Sequence, residues 1–74
     1  MTQADKILLC CILRTKAVEH NNLARQGKFA EAMVLLLEIM FNFCDYQERG
    51  MECDFETDEH YITEFTIDGI KVKL

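Results

Sequence analysis

The groups best able to do chemistry in this chain are carboxylates, thiols and two imidazoles. Asp54, Glu56 and Asp58 stand at alternate positions, as ligands do at the start of a calcium loop. Such a loop also needs glycine at its sixth position and a bidentate glutamate at its twelfth. Those positions hold Glu59 and Phe65. The alternation is therefore better read as the period of a strand. Cys44, Cys53 and His60 are soft and borderline ligands, but they are nine and seven residues apart. Structural zinc sites draw on closely spaced cysteine pairs. His20 and His60 lack a partner nucleophile, since the chain contains no serine and neither histidine sits in a recognisable cysteine motif. There is no glycine-rich phosphate loop. The chemistry expected is binding rather than catalysis, with no metal and no cofactor.

Charge gives that binding a sign. Thirteen acidic residues oppose eight basic ones, for a net charge of −5. The excess is uneven. Met1 to Ala30 holds five basic and two acidic residues, a net of +3, whereas Asp45 to Asp68 holds nine acidic residues against Arg49 alone, a net of −8. Direct nucleic-acid binding calls for a basic patch or stripe. Lys6, Arg14, Lys16 and Arg25 spread over more than half the circumference of a helix and form none. The acidic segment instead suggests a docking surface for a basic partner protein. Its candidate contacts are Glu52, Asp54, Glu56, Asp58 and Glu59.

The four cysteines are Cys10, Cys11, Cys44 and Cys53. The apolar run Ile7 to Leu13 is far too short to span a bilayer. No small-residue cleavage site follows it. The expectation is no membrane association and a cytoplasmic, reducing compartment, where thiols act as small core hydrophobes.

The elements that must position these groups follow from local pattern. Thr2 and Asp5 form the signature of a capped helix start. Helices are expected over 3–26 and 28–47, with Gly27 and Gly50 just past their ends. Within this region Asn22 to Met33 reads NLARQGKFAEAM. It resembles the middle of a tetratricopeptide repeat, with Gly27, Phe29 and Ala32 at the turn and on the second helix. The resemblance spans a dozen residues and occurs once. It implies a tight helical hairpin and no peptide-binding array.

Beyond Gly50 the period changes to two, and strands are expected over 51–56, 60–67 and 70–74. Asp68–Gly69 between β-branched residues is a hairpin turn. A two-residue turn sets Ile67 opposite Ile70, Phe65 opposite Val72 and Thr63 opposite Leu74. A loop over 57–59 would bring Phe55 opposite Tyr61. The expected fold is α+β: one domain, 1–74, in which an antiparallel helical hairpin precedes a three-stranded antiparallel meander.

Both helices are apolar on more than one side. Ala4, Ile7, Leu8, Cys11 and Val18 are read as the core stripe of the first helix, and Phe29, Met33, Leu36, Met40 and Phe43 as that of the second. Leu9, Leu13, Val34 and Phe41 then lie on the far side. A small sheet covers one face of a helical hairpin, so these four are expected to meet a second copy or an obligate partner. The functional expectation is a small acidic regulator or inhibitor that binds a basic protein, nucleic-acid mimicry being a special case. The alternative is a homo-oligomeric assembly module whose acidic face only keeps it soluble.

Overall fold

The computed structural model describes residues 2–74. Two helices, α1 (Gln3–Arg25) and α2 (Phe29–Glu48), precede three strands, β1 (Cys53–Asp58), β2 (Tyr61–Ile67) and β3 (Ile70–Lys73). The strands form one antiparallel sheet in the order β1-β2-β3. This is the expected α+β arrangement.

The helix ends are set locally. Thr2 is extended and accepts the Asp5 N–H at 3.2 Å, while the Asp5 carboxylate accepts the Thr2 N–H at 3.2 Å. Hydrogen bonding from the Thr2 hydroxyl and from the Thr2 backbone N–H holds the Asp5 carboxyl below its ordinary value. Both helices close in the same manner. Lys28 N–H reaches back to the Leu23 carbonyl at 2.9 Å, and Met51 N–H to the Tyr46 carbonyl at 3.0 Å. Each bond spans a residue with positive φ; at Gly50 φ is 88°, a conformation that glycine adopts without steric cost. The second closure adds an apolar contact typical of the motif, because Tyr46 and Met51 are both buried.

The β2–β3 hairpin has the expected register, with Ile67 opposite Ile70 and Phe65 opposite Val72. Asp68 and Gly69 both have positive φ, as a two-residue turn matched to strand twist requires. The β1–β2 pairing departs from expectation. Phe55 lies opposite Phe65, not Tyr61, and the connection is the two-residue turn Glu59–His60, with Glu59 at φ 55°. One irregularity lies between Glu56 and Thr57, where Thr63 on β2 is left over. Its hydroxyl donates to the Glu56 carbonyl at 3.2 Å. The bulge has a physical cause. Ile62, Phe65 and Ile67 are all buried, and strict alternation cannot turn all three to one face.

The core lies between the helical hairpin and the inner face of the sheet. Leu13, Ile62 and Ile67 are its most deeply buried large side chains, joined by Ile39, Phe43, Tyr46, Met51 and Phe65. The helix faces differ from the expected ones. On α1 the buried line is Cys10, Leu13, Ala17, His20, Asn21 and Ala24, rotated by roughly 130° from the stripe centred on Cys11, at about 100° per residue. Ala4, Ile7, Leu8 and Cys11 are exposed and Val18 is half-buried. On α2 the buried line is Ala32, Ile39, Phe43 and Tyr46, rotated by roughly 70°. Phe29, Met33 and Met40 are exposed, while Phe43 and the half-buried Leu36 keep their expected places. The small residues Ala17, Ala24 and Ala32 explain the rotation, since they admit close approach where larger side chains would hold the layers apart.

Candidate functional site

β1 is an edge strand, and its side chains alternate between the core and solvent. Cys53 and Phe55 turn inward and are half-buried; Asp54 and Glu56 turn outward and are exposed. Glu52, just before the strand, and Asp58 and Glu59, at the turn, are also exposed. The five expected contacts thus follow one edge of the sheet. Alternate side chains on one face of a strand stand about 6.6 Å apart.

None of these five carboxylates has a cationic side chain within 4.0 Å among the described residues. Four of the eight basic side chains are committed to other acids: Lys6 to Asp68, Lys16 to Glu38 at 3.9 Å, Arg49 to Asp45 at 3.3 Å and Lys71 to Glu64 at 3.7 Å, while Arg25 lies over the Tyr61 ring at the β1–β2 turn, 5.3 Å from its centroid. Glu56 lies directly opposite Glu64 on β2. The outer face of the sheet therefore runs from negative at β1 to positive at β3, where Lys71 and Lys73 stand.

The backbone of this edge is partly shielded by side chains. Asp54 Oδ1 accepts the Phe55 N–H at 2.8 Å, and Gln47 of α2 donates to the Cys53 carbonyl at 3.2 Å. Such capping disfavours the addition of another strand. What the edge offers is its carboxylates.

Between α2 and β1 the surface dips into an open groove of about 470 Å³. Phe29, Met33, Leu36 and Phe55 give it an apolar floor, and Glu59 and His60 stand at its end. The His60 ring tilts against Phe29 with centroids 5.1 Å apart. This groove is invisible to strand alternation alone. Its signal in the sequence is the set of large apolar residues, Phe29 and Met33, that the true core line of α2 leaves outside.

The other candidate groups separate. Among the described residues no three of His, Cys, Asp and Glu are placed to hold a metal ion, so Cys44, Cys53 and His60 do not converge. All four cysteines are free thiols. Burial pushes the Cys10 and Cys53 thiols above their ordinary value. His20 is buried and its Nδ1 lies 3.0 Å from Asn21 Oδ1, so the ring nitrogen donates to the amide oxygen.

The four residues expected to form an oligomer surface divide in two. Val34 and Phe41 are exposed. Leu13 is 1% exposed and belongs to the core, and Leu9 packs against that core. Leu9 and Leu13 are thus withdrawn from the outer surface, because the inward face of α1 is the one that carries them. No helix among the described residues is long and apolar enough to cross a membrane. No family model, curated protein or solved structure matches the chain.

Proposed function

We propose that this protein is a non-catalytic binding module that takes a basic partner protein on the acidic β1 edge, as a regulator or inhibitor of that partner. The observation that supports this is the lack of compensation. Five exposed carboxylates follow one edge, and among the described residues none of them forms an ion pair within 4.0 Å. Clustered like charge without counter-charge costs stability, and it raises the association rate for a cationic target. The adjoining groove adds an apolar floor at the same edge. A partner segment with lysine or arginine beside an apolar anchor would meet both.

The test is charge reversal with a defined probe. Glu52→Lys, Asp54→Lys and Glu56→Lys would be combined in one protein. Binding of a synthetic peptide with lysines at alternate positions would then be compared between it and the unmodified chain over a range of salt. The proposal expects binding to the unmodified chain that weakens as salt rises, and loss of at least tenfold in the variant with its melting curve retained. A folded variant that binds as well as the unmodified chain overturns it. So does an unmodified chain that binds a glutamine-for-lysine peptide equally.

A further inference from the structure

The outer surface of the helical hairpin, the side away from the sheet, is distinct from the β1 groove and has its own pattern. On α2, Ala30, Val34, Leu37, Phe41 and Cys44 recur at alternating intervals of four and three residues, the spacing of a coiled-coil seam. All five are exposed, Phe41 at 72%. The Lys16–Glu38 ion pair sets the level of the two antiparallel helices. By that register Ile12 lies alongside Phe41, and Leu8 lies one turn further along. Leu8 and Ile12 are 60% and 43% exposed.

We infer that this face is covered by a second copy of the chain, in a two-fold dimer whose α2 helices pack antiparallel. Two observations select that occupant. The first is area. The exposed fractions of Leu8, Ile12, Val34, Leu37 and Phe41 correspond to roughly 500 Å² per chain, or about 1,000 Å² for two, the size at which a specific interface becomes credible. The second is self-complementarity. A two-fold axis near Leu37 sets Leu37 against Leu37 of the partner subunit, Val34 against Phe41 of the partner subunit and Ala30 against Cys44 of the partner subunit. Small meets large where Val34 faces Phe41, and Leu37 meets its own copy on the axis, as an interface that uses the same patch twice requires. Of the seam residues Cys44 alone borders the acidic β1 edge, sharing a surface hollow with Asp54; the seam centre at Val34, Leu37 and Phe41 lies apart from it, so Phe41→Glu tests dimerisation separately from binding of a basic partner.

Analytical ultracentrifugation across micromolar concentrations, together with cysteine cross-linking, tests the inference. The unmodified chain is expected to sediment as a dimer. Phe41→Glu is expected to sediment as a monomer with an unchanged circular dichroism spectrum, because the side chain makes little contact within its own chain. Val34→Lys combined with Phe41→Glu is expected to recover the dimer, as opposite charges then face each other across the seam. In a background of Cys11→Ser and Cys44→Ser, Leu37→Cys is expected to cross-link rapidly on mild oxidation. The Cys11→Ser chain, with Cys44 as its one exposed thiol, is not. An unmodified chain that is monomeric throughout overturns the inference, as does a Phe41→Glu chain that remains dimeric. Cross-linking through Cys44 in preference to Leu37→Cys overturns the antiparallel geometry and, with it, the inference.

Discussion

The side-chain amide of Asn21 holds both backbone groups of Ile62: Nδ2 donates to the Ile62 carbonyl at 2.8 Å, and Oδ1 accepts the Ile62 N–H at 2.8 Å. The amide thus takes the place of a strand partner beside the bulge at Thr63. His20 supports it by donating to the same Oδ1 at 3.0 Å, which orients the amide. A residue with poor intrinsic helix preference is placed in α1 because a helix position there reaches the sheet.

Asn21→Leu keeps the volume and removes both bonds. It leaves a buried N–H and a buried carbonyl of Ile62 without partners, at about 1–3 kcal/mol for each group. The expected outcome is a loss of roughly 2–6 kcal/mol in urea unfolding, a large share of a small protein's stability. A midpoint unchanged from the parent would show that the clasp contributes nothing.

Deleting residues 70–74 tests the hairpin. Ile70 and Val72 are half-buried and pack against the core. Their removal also uncovers Ile67 and Phe65, which they face across the strand pair. Fully burying such side chains contributes about 1.5–3 kcal/mol each. The truncated chain is expected to lose its cooperative thermal transition. A sharp melt near the parent temperature would place β3 outside the stabilising core.

The hairpin was readable because its determinants are neighbours. Asp68–Gly69 and the alternation on either side of it fix turn and register together. The clasp was not, because Asn21 and Ile62 are 41 residues apart and nothing in either residue's neighbourhood announces the other. The helix faces failed for another reason. α1 is apolar at Leu8 and Ile12 as well as at Leu9 and Leu13, so periodicity alone leaves two solutions. Packing selects the one that puts Cys10, Leu13 and Ala17 into the core with the sheet's Ile62, Phe65 and Ile67. The outward phase of Asp54 and Glu56 was legible because strand alternation is a local property, whereas Asp58, expected in a loop over 57–59, lies at the end of β1. The groove beside it depends on which face of α2 is buried, and so it was lost with that assignment.

The thiols give a pH prediction. Burial raises Cys10 and Cys53 above the ordinary thiol value of 9.0, and raises Tyr46 above its ordinary 10.0. Each group is therefore held neutral by folding. A raised acid contributes stability that is complete below its unfolded value and lost as pH rises through its folded one. The midpoint of urea unfolding is expected to be level around neutrality and to fall once pH passes about 9. At neutral pH a maleimide should label exposed Cys11 and Cys44 before Cys10. Labelling of Cys10 at an equal rate would contradict the buried assignment.

Leu8 and Leu13 lie on opposite faces of α1, and truncating each separates the core from the outer surface. Leu13 is 1% exposed, so Leu13→Ala leaves a cavity between helix and sheet. Such changes cost about 2–5 kcal/mol. That loss is intrinsic to one chain and should be the same at every protein concentration. Leu8 is 60% exposed, and Leu8→Ala on an isolated chain should stay within about 0.5 kcal/mol of the parent. If the outer face is covered by a second copy, Leu8→Ala acts on association instead. Its unfolding midpoint should then match that of the parent at low concentration and fall below it as concentration rises and the parent dimerises. Urea titrations at several concentrations read both effects from one set of curves. Equal losses for the two variants at all concentrations would mean that both leucines serve the same core, and the division of α1 into an inner and an outer apolar face would fail.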